Sequence, residues 1–110
     1  MQKVLQDLIN EKITGIQKIH DYWILITDEC GINIYNTVKF FFHNDYCELP
    51  NLQLNSVLDH VIVGVSYKEA DYLNIELENK SCINISLKEK DYIGPEAASI
   101  HFSTGETLVI

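Results

Sequence analysis

The chain has no arginine. Its 110 residues carry eight lysines against 16 Asp and Glu, for a net charge of −8. Nucleic-acid recognition needs a basic footprint, usually with bidentate arginine forks, so this composition argues against direct nucleic-acid binding. Cysteine is scarce too. Cys30, Cys47 and Cys82 are odd in number and far apart, which gives no CxxC pair, no disulfide framework and no zinc ligand set. Reduced, buried thiols are expected. The five glycines occur singly and form no phosphate-cradling loop. No apolar run approaches the ~20 residues that cross a bilayer. The opening MQKVLQDLIN breaks its apolar pattern with Asp7 and offers no small-residue cleavage site, unlike a signal peptide. The expectation is a cytoplasmic protein with no membrane contact.

Hydrophobic residues make up 46% of the chain, too many for disorder. The length fits one domain over residues 1–110 with a core of its own. The clearest pattern is residues 72–87, YLNIELENKSCINISL. Leu73, Ile75 and Leu77 alternate with Tyr72, Asn74, Glu76 and Glu78. After a polar turn at 79–81, Ile83, Ile85 and Leu87 alternate with Cys82, Asn84 and Ser86. Period two with β-branched residues marks half-buried strands, and two such runs around a short turn make an antiparallel hairpin. Residues 22–35, YWILITDECGINIY, repeat it. There Ile24, Ile26, Ile32 and Ile34 fall on Ile75, Leu77, Ile83 and Ile85, and these eight are the expected core.

The repeat extends upstream. Leu5, Leu8 and Ile9 match Leu54, Val57 and Leu58 at helical spacing, and Ile13, Gly15 and Ile16 match Ile62, Gly64 and Val65. Each copy reads as a helical turn followed by three strands, at residues 1–42 and 54–88. The first copy's strands are expected at 13–19, 22–27 and 32–38, the last extended by Phe40, Phe41 and Phe42. Residues 43–55 form the dividing loop. Gly94 and Pro95 then break the chain before a last hairpin within 97–110, whose apolar end is expected to be tied into a sheet. The expected fold is mainly β (α+β), with eight strands in two antiparallel sheets packed as a sandwich, built from the duplicated unit plus the C-terminal hairpin.

Catalytic constellations are thin. His43 and Cys47 are four apart in a loop with no third ligand nearby, so no metal is expected. His101 lies in a strand without a visible partner for base chemistry, and Ser99 and Ser103 lack a nucleophile-elbow setting. Glu76 and Glu78 share a strand face, as glycosidase carboxylates do, but such alternation more often marks a solvated sheet. Trp23 and Leu25 fall opposite Asn74 and Glu76 in the repeat. Trp23 is then either covered by another element or part of a binding surface. Tyr72, beside the acidic turn at 68–71, is either an interface anchor or an ordinary edge residue.

The pattern at 13–16, 24–34, 62–65 and 75–85, with Gly94-Pro95-Glu96-Ala97 leading into the last hairpin, resembles the CdiI-type immunity proteins of contact-dependent growth inhibition, a bacterial polymorphic toxin system. The resemblance implies a cytoplasmic protein that does no chemistry and needs no cofactor. It would bind the toxin domain of its own system as a one-to-one heterodimer. Many such toxins are basic nucleases, ribonucleases among them, and the net charge of −8 suits a basic partner. The toxin-binding residues expected on this basis are Glu69, Asp71, Tyr72, Glu76 and Glu78, with Asp45 and Glu48 as a second group. Two other readings stay open: a small β-rich accessory or scaffold protein with another basic partner, and a ligand-binding or enzymatic β-domain whose site assembles from distant residues.

Overall fold

A computed structural model describes residues 5–42, 45–47 and 57–110, with the side chains of 42 and 45–47 outside the description. A 3-10 turn at Gln6–Leu8 precedes β1 (Ile13–Ile19), β2 (Tyr22–Thr27), β3 (Gly31–Ile34), β4 (Val38–Phe42) and β5 (Asp45–Cys47). After these come β6 (Ile62–Lys68), β7 (Tyr72–Leu77), β8 (Ser81–Ser86), a 3-10 turn at Glu89–Asp91, β9 (Ala98–His101) and β10 (Thr107–Val109). The strands form two antiparallel five-stranded sheets. Sheet 1 has the order β1-β2-β3-β9-β10 and sheet 2 the order β5-β4-β8-β7-β6. The mainly β, two-sheet sandwich is therefore the fold, with ten strands among the described residues against eight expected.

One additional strand arises at the corner Tyr35–Thr37 and the other within the expected loop. Residues 32–42 do not run as one strand. The chain leaves sheet 1 after Ile34 and re-enters as β4 beside β8, with Phe40 opposite Ile83. Asp45–Cys47, expected in a loop, pairs with β4 as β5. The second half mirrors this path, because β9 leaves sheet 2 and pairs with β3, placing Ile100 opposite Ile32. Each half thus lends its last two strands to the other half's sheet, and both sheets hold chain from both halves.

The halves also meet directly. Asn10 N–H donates to the Ile62 carbonyl (2.8 Å) and Asp59 N–H to the Ile13 carbonyl (2.7 Å). Ile13 N–H donates to the His60 carbonyl (3.0 Å) and Ile62 N–H to the Glu11 carbonyl (2.8 Å). These bonds are reciprocal about the Lys12–Val61 bridge. The left-handed residues correspond too: Asn10 with Asp59 before the first strand of each half, and His20 with Ala70 in the first hairpin turns. The apolar end is tied in as expected, with Ala97 N–H donating to the Ile110 carbonyl and Ile110 N–H to that of Ala98.

The core lies between the sheets. Leu5, Leu8, Ile32, Ile34, Ile62, Leu73, Ile75, Ile83, Ile85 and Ile100 are fully buried in it. Each such side chain contributes about 1.5–3 kcal/mol of transfer free energy. One strand departs from expectation. On β2 the inward residues are Trp23, Leu25 and Thr27, while Ile24 is half-buried and Ile26 is 43% exposed. Leu25 opposes Ile32 and Trp23 opposes Ile34. The Trp23 ring meets Phe40 of sheet 2 edge-on at 6.4 Å, so the opposite sheet covers it. Leu25 and Thr27, not Ile24 and Ile26, are the counterparts of Ile75 and Leu77. The reason is turn length. Residues 27–30 separate Ile26 of β2 from its partner Gly31 of β3, whereas residues 77–81 separate Glu76 of β7 from its partner Cys82 of β8. One added residue shifts the match by one, and a one-residue shift in a strand exchanges its faces.

Candidate binding surfaces

Sheet 2 carries the expected acidic residues along one strand. Tyr72, Asn74 and Glu76 point outward from β7, since Leu73, Ile75 and Leu77 are buried. Four residues of extended chain separate Tyr72 from Glu76 by roughly 13 Å. Glu76 lies over Gly64, where an added Cβ would come within 3.0 Å of its Oε2. Glu69 and Asp71 stand at one end of the strand, and Asp71 pairs with Lys68 at 3.5 Å. Glu78 is at the other end. There its Oε1 accepts from Val61 N–H (3.3 Å) and faces His60 Nδ1 at 3.4 Å. The five residues form a line rather than a cluster. Asp45 belongs to β5, at the far edge of sheet 2 from β6, with its side chain outside the description. Glu48 lies outside the described residues.

Positive charge gathers at the Tyr72 end of that line. Lys39, Lys88 and Lys90 join Tyr72, Asp71 and Asp91 around a cavity of about 340 Å³. Ser86 Oγ donates to Asp91 Oδ2 at 2.5 Å on its wall. Along β7 and β8 the outer face of sheet 2 is therefore polar and of mixed sign, with Phe41 of β4 outward beside Cys82 and Val63 of β6 51% exposed.

Sheet 1 presents a different face. Ile19, Tyr22, Ile24 and Ile26 point outward from β1 and β2, and Val109, 48% exposed, points outward from β10. Ile26 closes over Gly15, whose added Cβ would meet Ile26 Cδ1 at 3.3 Å. Between these lies a neutral hydrogen-bonded strip. Asn33 Nδ2 donates to Ser99 Oγ (3.3 Å), Tyr35 Oη meets the same oxygen at 3.4 Å, and His101 Nδ1 meets Thr107 Oγ1 at 3.2 Å. Among the described residues, the outward strand positions of sheet 1 include no Asp, Glu or Lys. At one end the Tyr22 and Tyr35 rings stand 5.3 Å apart beside a concavity of about 270 Å³ lined also by Asp21, Ile93, Pro95 and Glu96. Ile93 is 78% exposed on its lip. Sequence reasoning missed this face because β2 is apolar on both alternations, so periodicity could not choose between them. The one signal available was the longer turn in the second half.

The other candidate chemistry is quieter. Cys30 and Cys82 are free thiols. Burial pushes both above the ordinary thiol range, and the nearby carboxylates Glu11 and Glu76 add to the rise. Nucleophilic thiols need the opposite shift. Among the described residues, no three His, Cys, Asp or Glu side chains gather as a metal site, and no helix is long and apolar enough to cross a membrane.

Together these features define a small two-sheet β protein with two broad, chemically unlike outer faces. Comparison with known proteins matched no family model, no curated protein and no solved structure.

Proposed function

We propose that this chain is an immunity-type inhibitor that binds and neutralises a cognate cytotoxic nuclease domain, a ribonuclease in the first instance. The observation that carries the reading is the charge: 16 carboxylates against eight lysines and no arginine, held on a two-sheet frame. A nuclease cleft is basic because it binds polyanionic substrate. An acidic protein of fixed shape opposes that field, speeds the encounter and competes with the nucleic acid. The line from Glu69 and Asp71 through Tyr72 to Glu76 and Glu78 is one candidate contact, with the carboxylates at the ends of sheet 1 as the other. In this reading the protein does no chemistry itself.

The test mixes the protein with the toxin domain encoded in the neighbouring reading frame. Binding and residual nuclease activity are then measured over a salt series. The expected result is one-to-one inhibition with an association rate that falls as salt rises. Absence of binding would remove the immunity reading. Binding without salt dependence would leave the inhibitor and remove the electrostatic mechanism.

A second reading has one observation behind it. The cavity lined by Lys39, Lys88, Lys90 and Tyr72, with Asp71 and Asp91 beside them, sets three ammonium groups against two carboxylates and could hold a small anionic ligand. Calorimetric titration with inorganic phosphate and pyrophosphate, giving heat that disappears in Lys39→Ala, would favour it over inhibition.

A further inference from the structure

We infer that the outer face of sheet 1 is the docking face, and that its occupant is a basic protein carrying an apolar patch ringed by lysine or arginine side chains. The inference deepens the inhibitor reading and rests on it. Its first support is the contrast with sheet 2. The positions of Ile19, Ile24 and Ile26 correspond to those of Lys68, Asn74 and Glu76. The same strand pair thus stands in sheet 2 with polar side chains at these places. The isoleucines are not required to build the frame; Ile26 is 43% exposed with Ile19 and Ile24 half-buried on the same face, and apolar surface gathered on one face of a small protein marks an interaction site.

The second support is the distribution of charge around the face. Its outward strand positions are uncharged, but both ends are acidic. Asp21 and Glu96 stand at the Tyr22–Tyr35 end. At the other end, the β2–β3 turn carries Asp28 and Glu29, and the β9–β10 turn carries Glu106. Against these five carboxylates stand Lys12, before β1, whose backbone N–H donates to Asp28 Oδ2, and Lys18 near the Tyr22 end, its Nζ 5.5 Å over the Trp23 ring. An uncharged centre inside a charged rim is the anatomy of a protein interface. Two copies of this chain meeting face to face would bring like-charged rims together. A basic partner would meet opposite charge.

Size sets how much more must be covered. Five strands at ~4.8 Å spacing and 3–7 residues in length give a projected face of roughly 300–400 Å², against about 800 Å² per partner in a stable interface. The strands alone are too small, so the rim carboxylates, the tyrosine concavity and Ile93 on its lip must be covered as well.

The experiment uses the full chain and the toxin domain from the neighbouring frame. The triple variant Ile19→Lys, Ile24→Asn, Ile26→Glu installs the residues of the corresponding sheet 2 positions and leaves the net charge unchanged. It is expected to weaken binding by about 30-fold or more, as loss of buried anchors does, with its unfolding transition intact. Hydrogen exchange on the unmutated complex supplies a second readout that does not depend on any variant folding. Protection is expected on β2 and on the β2–β3 and β9–β10 turns. Protection on β7 instead, or a triple variant that folds and binds like the parent, overturns the docking face and leaves the inhibitor reading standing. A toxin domain that does not bind the parent protein at all overturns both. Sedimentation of the chain alone must show a monomer, because a dimer abolished by the triple variant would make the occupant a second copy and overturn the basic partner.

Discussion

The two sheets share a strand path and differ in what they show to solvent. Tyr22 and Tyr72 hold the same position in both. From there sheet 1 continues with Ile24 and Ile26, and sheet 2 with Asn74 and Glu76. The inner faces differ far less. Ile32 and Ile34 answer Ile83 and Ile85, and all four are fully buried. Packing constrains the inner positions, because every atom there has neighbours on all sides. The outer positions carry no such packing against the opposite sheet, so they are free to differ in polarity.

The largest effect that can break this comparison lies inside β2. Leu25→Ala should cost about 2–5 kcal/mol, the range for emptying a buried aliphatic site. Ile26→Ala, one residue away on the outer face, should cost under ~1 kcal/mol. Urea unfolding of the two variants measures both. A larger loss at Ile26 would return the isoleucines to the core and remove the apolar outer face.

A smaller effect is expected at Thr27, the inward residue whose sheet 2 counterpart is Leu77. Thr27 Oγ1 donates to Glu11 Oε1 at 2.7 Å and accepts from Cys30 N–H at 2.9 Å. Thr27→Val keeps the shape, removes both bonds and leaves the Cys30 N–H without its side-chain acceptor. The expected loss is about 1–3 kcal/mol, read from the same unfolding curves. An unchanged midpoint would show that the turn holds itself and that Thr27 could be apolar, as Leu77 is.

The smallest effect concerns the thiols, Cys30 in the sheet 1 turn and Cys82 on the outer face of sheet 2. Both pKa values are raised by burial, so the native state keeps these protons to higher pH than the unfolded chain does. The stability this contributes is complete below the unfolded thiol pKa. It is lost as pH rises through the folded value, which places the loss in the alkaline range. Unfolding midpoints of the parent should therefore fall at alkaline pH more steeply than those of Cys30→Ala, Cys82→Ala. Equal slopes would mean that neither thiol is linked to folding.

Much of this fold was legible in the chain. The hairpins at 72–87 and 97–110, the buried helical turn around Leu5 and Leu8, and the correspondence of Gly15 with Gly64 all follow from spacing and residue type. Sheet 2's outer face was legible for the same reason: Tyr72, Asn74 and Glu76 alternate with aliphatics, so only one register buries the aliphatic residues. The sheet 1 face was not, since Tyr22, Trp23, Ile24, Leu25 and Ile26 are apolar at both parities.

By itself the sequence determined the class of fold, the two-part repeat, the inward faces of β7 and β8, and the acidic excess, because each is a matter of local periodicity or of composition. Only the tertiary structure decided which face of β2 is buried, that Phe40 and Ile100 cross to the other half's sheet, and where uncharged and acidic surfaces lie relative to each other. These depend on contacts between residues far apart in the chain. A single added turn residue, the edge-on fit of Trp23 to Phe40 and the hydrogen bonds of Thr27 together select one register from two that local pattern leaves equal.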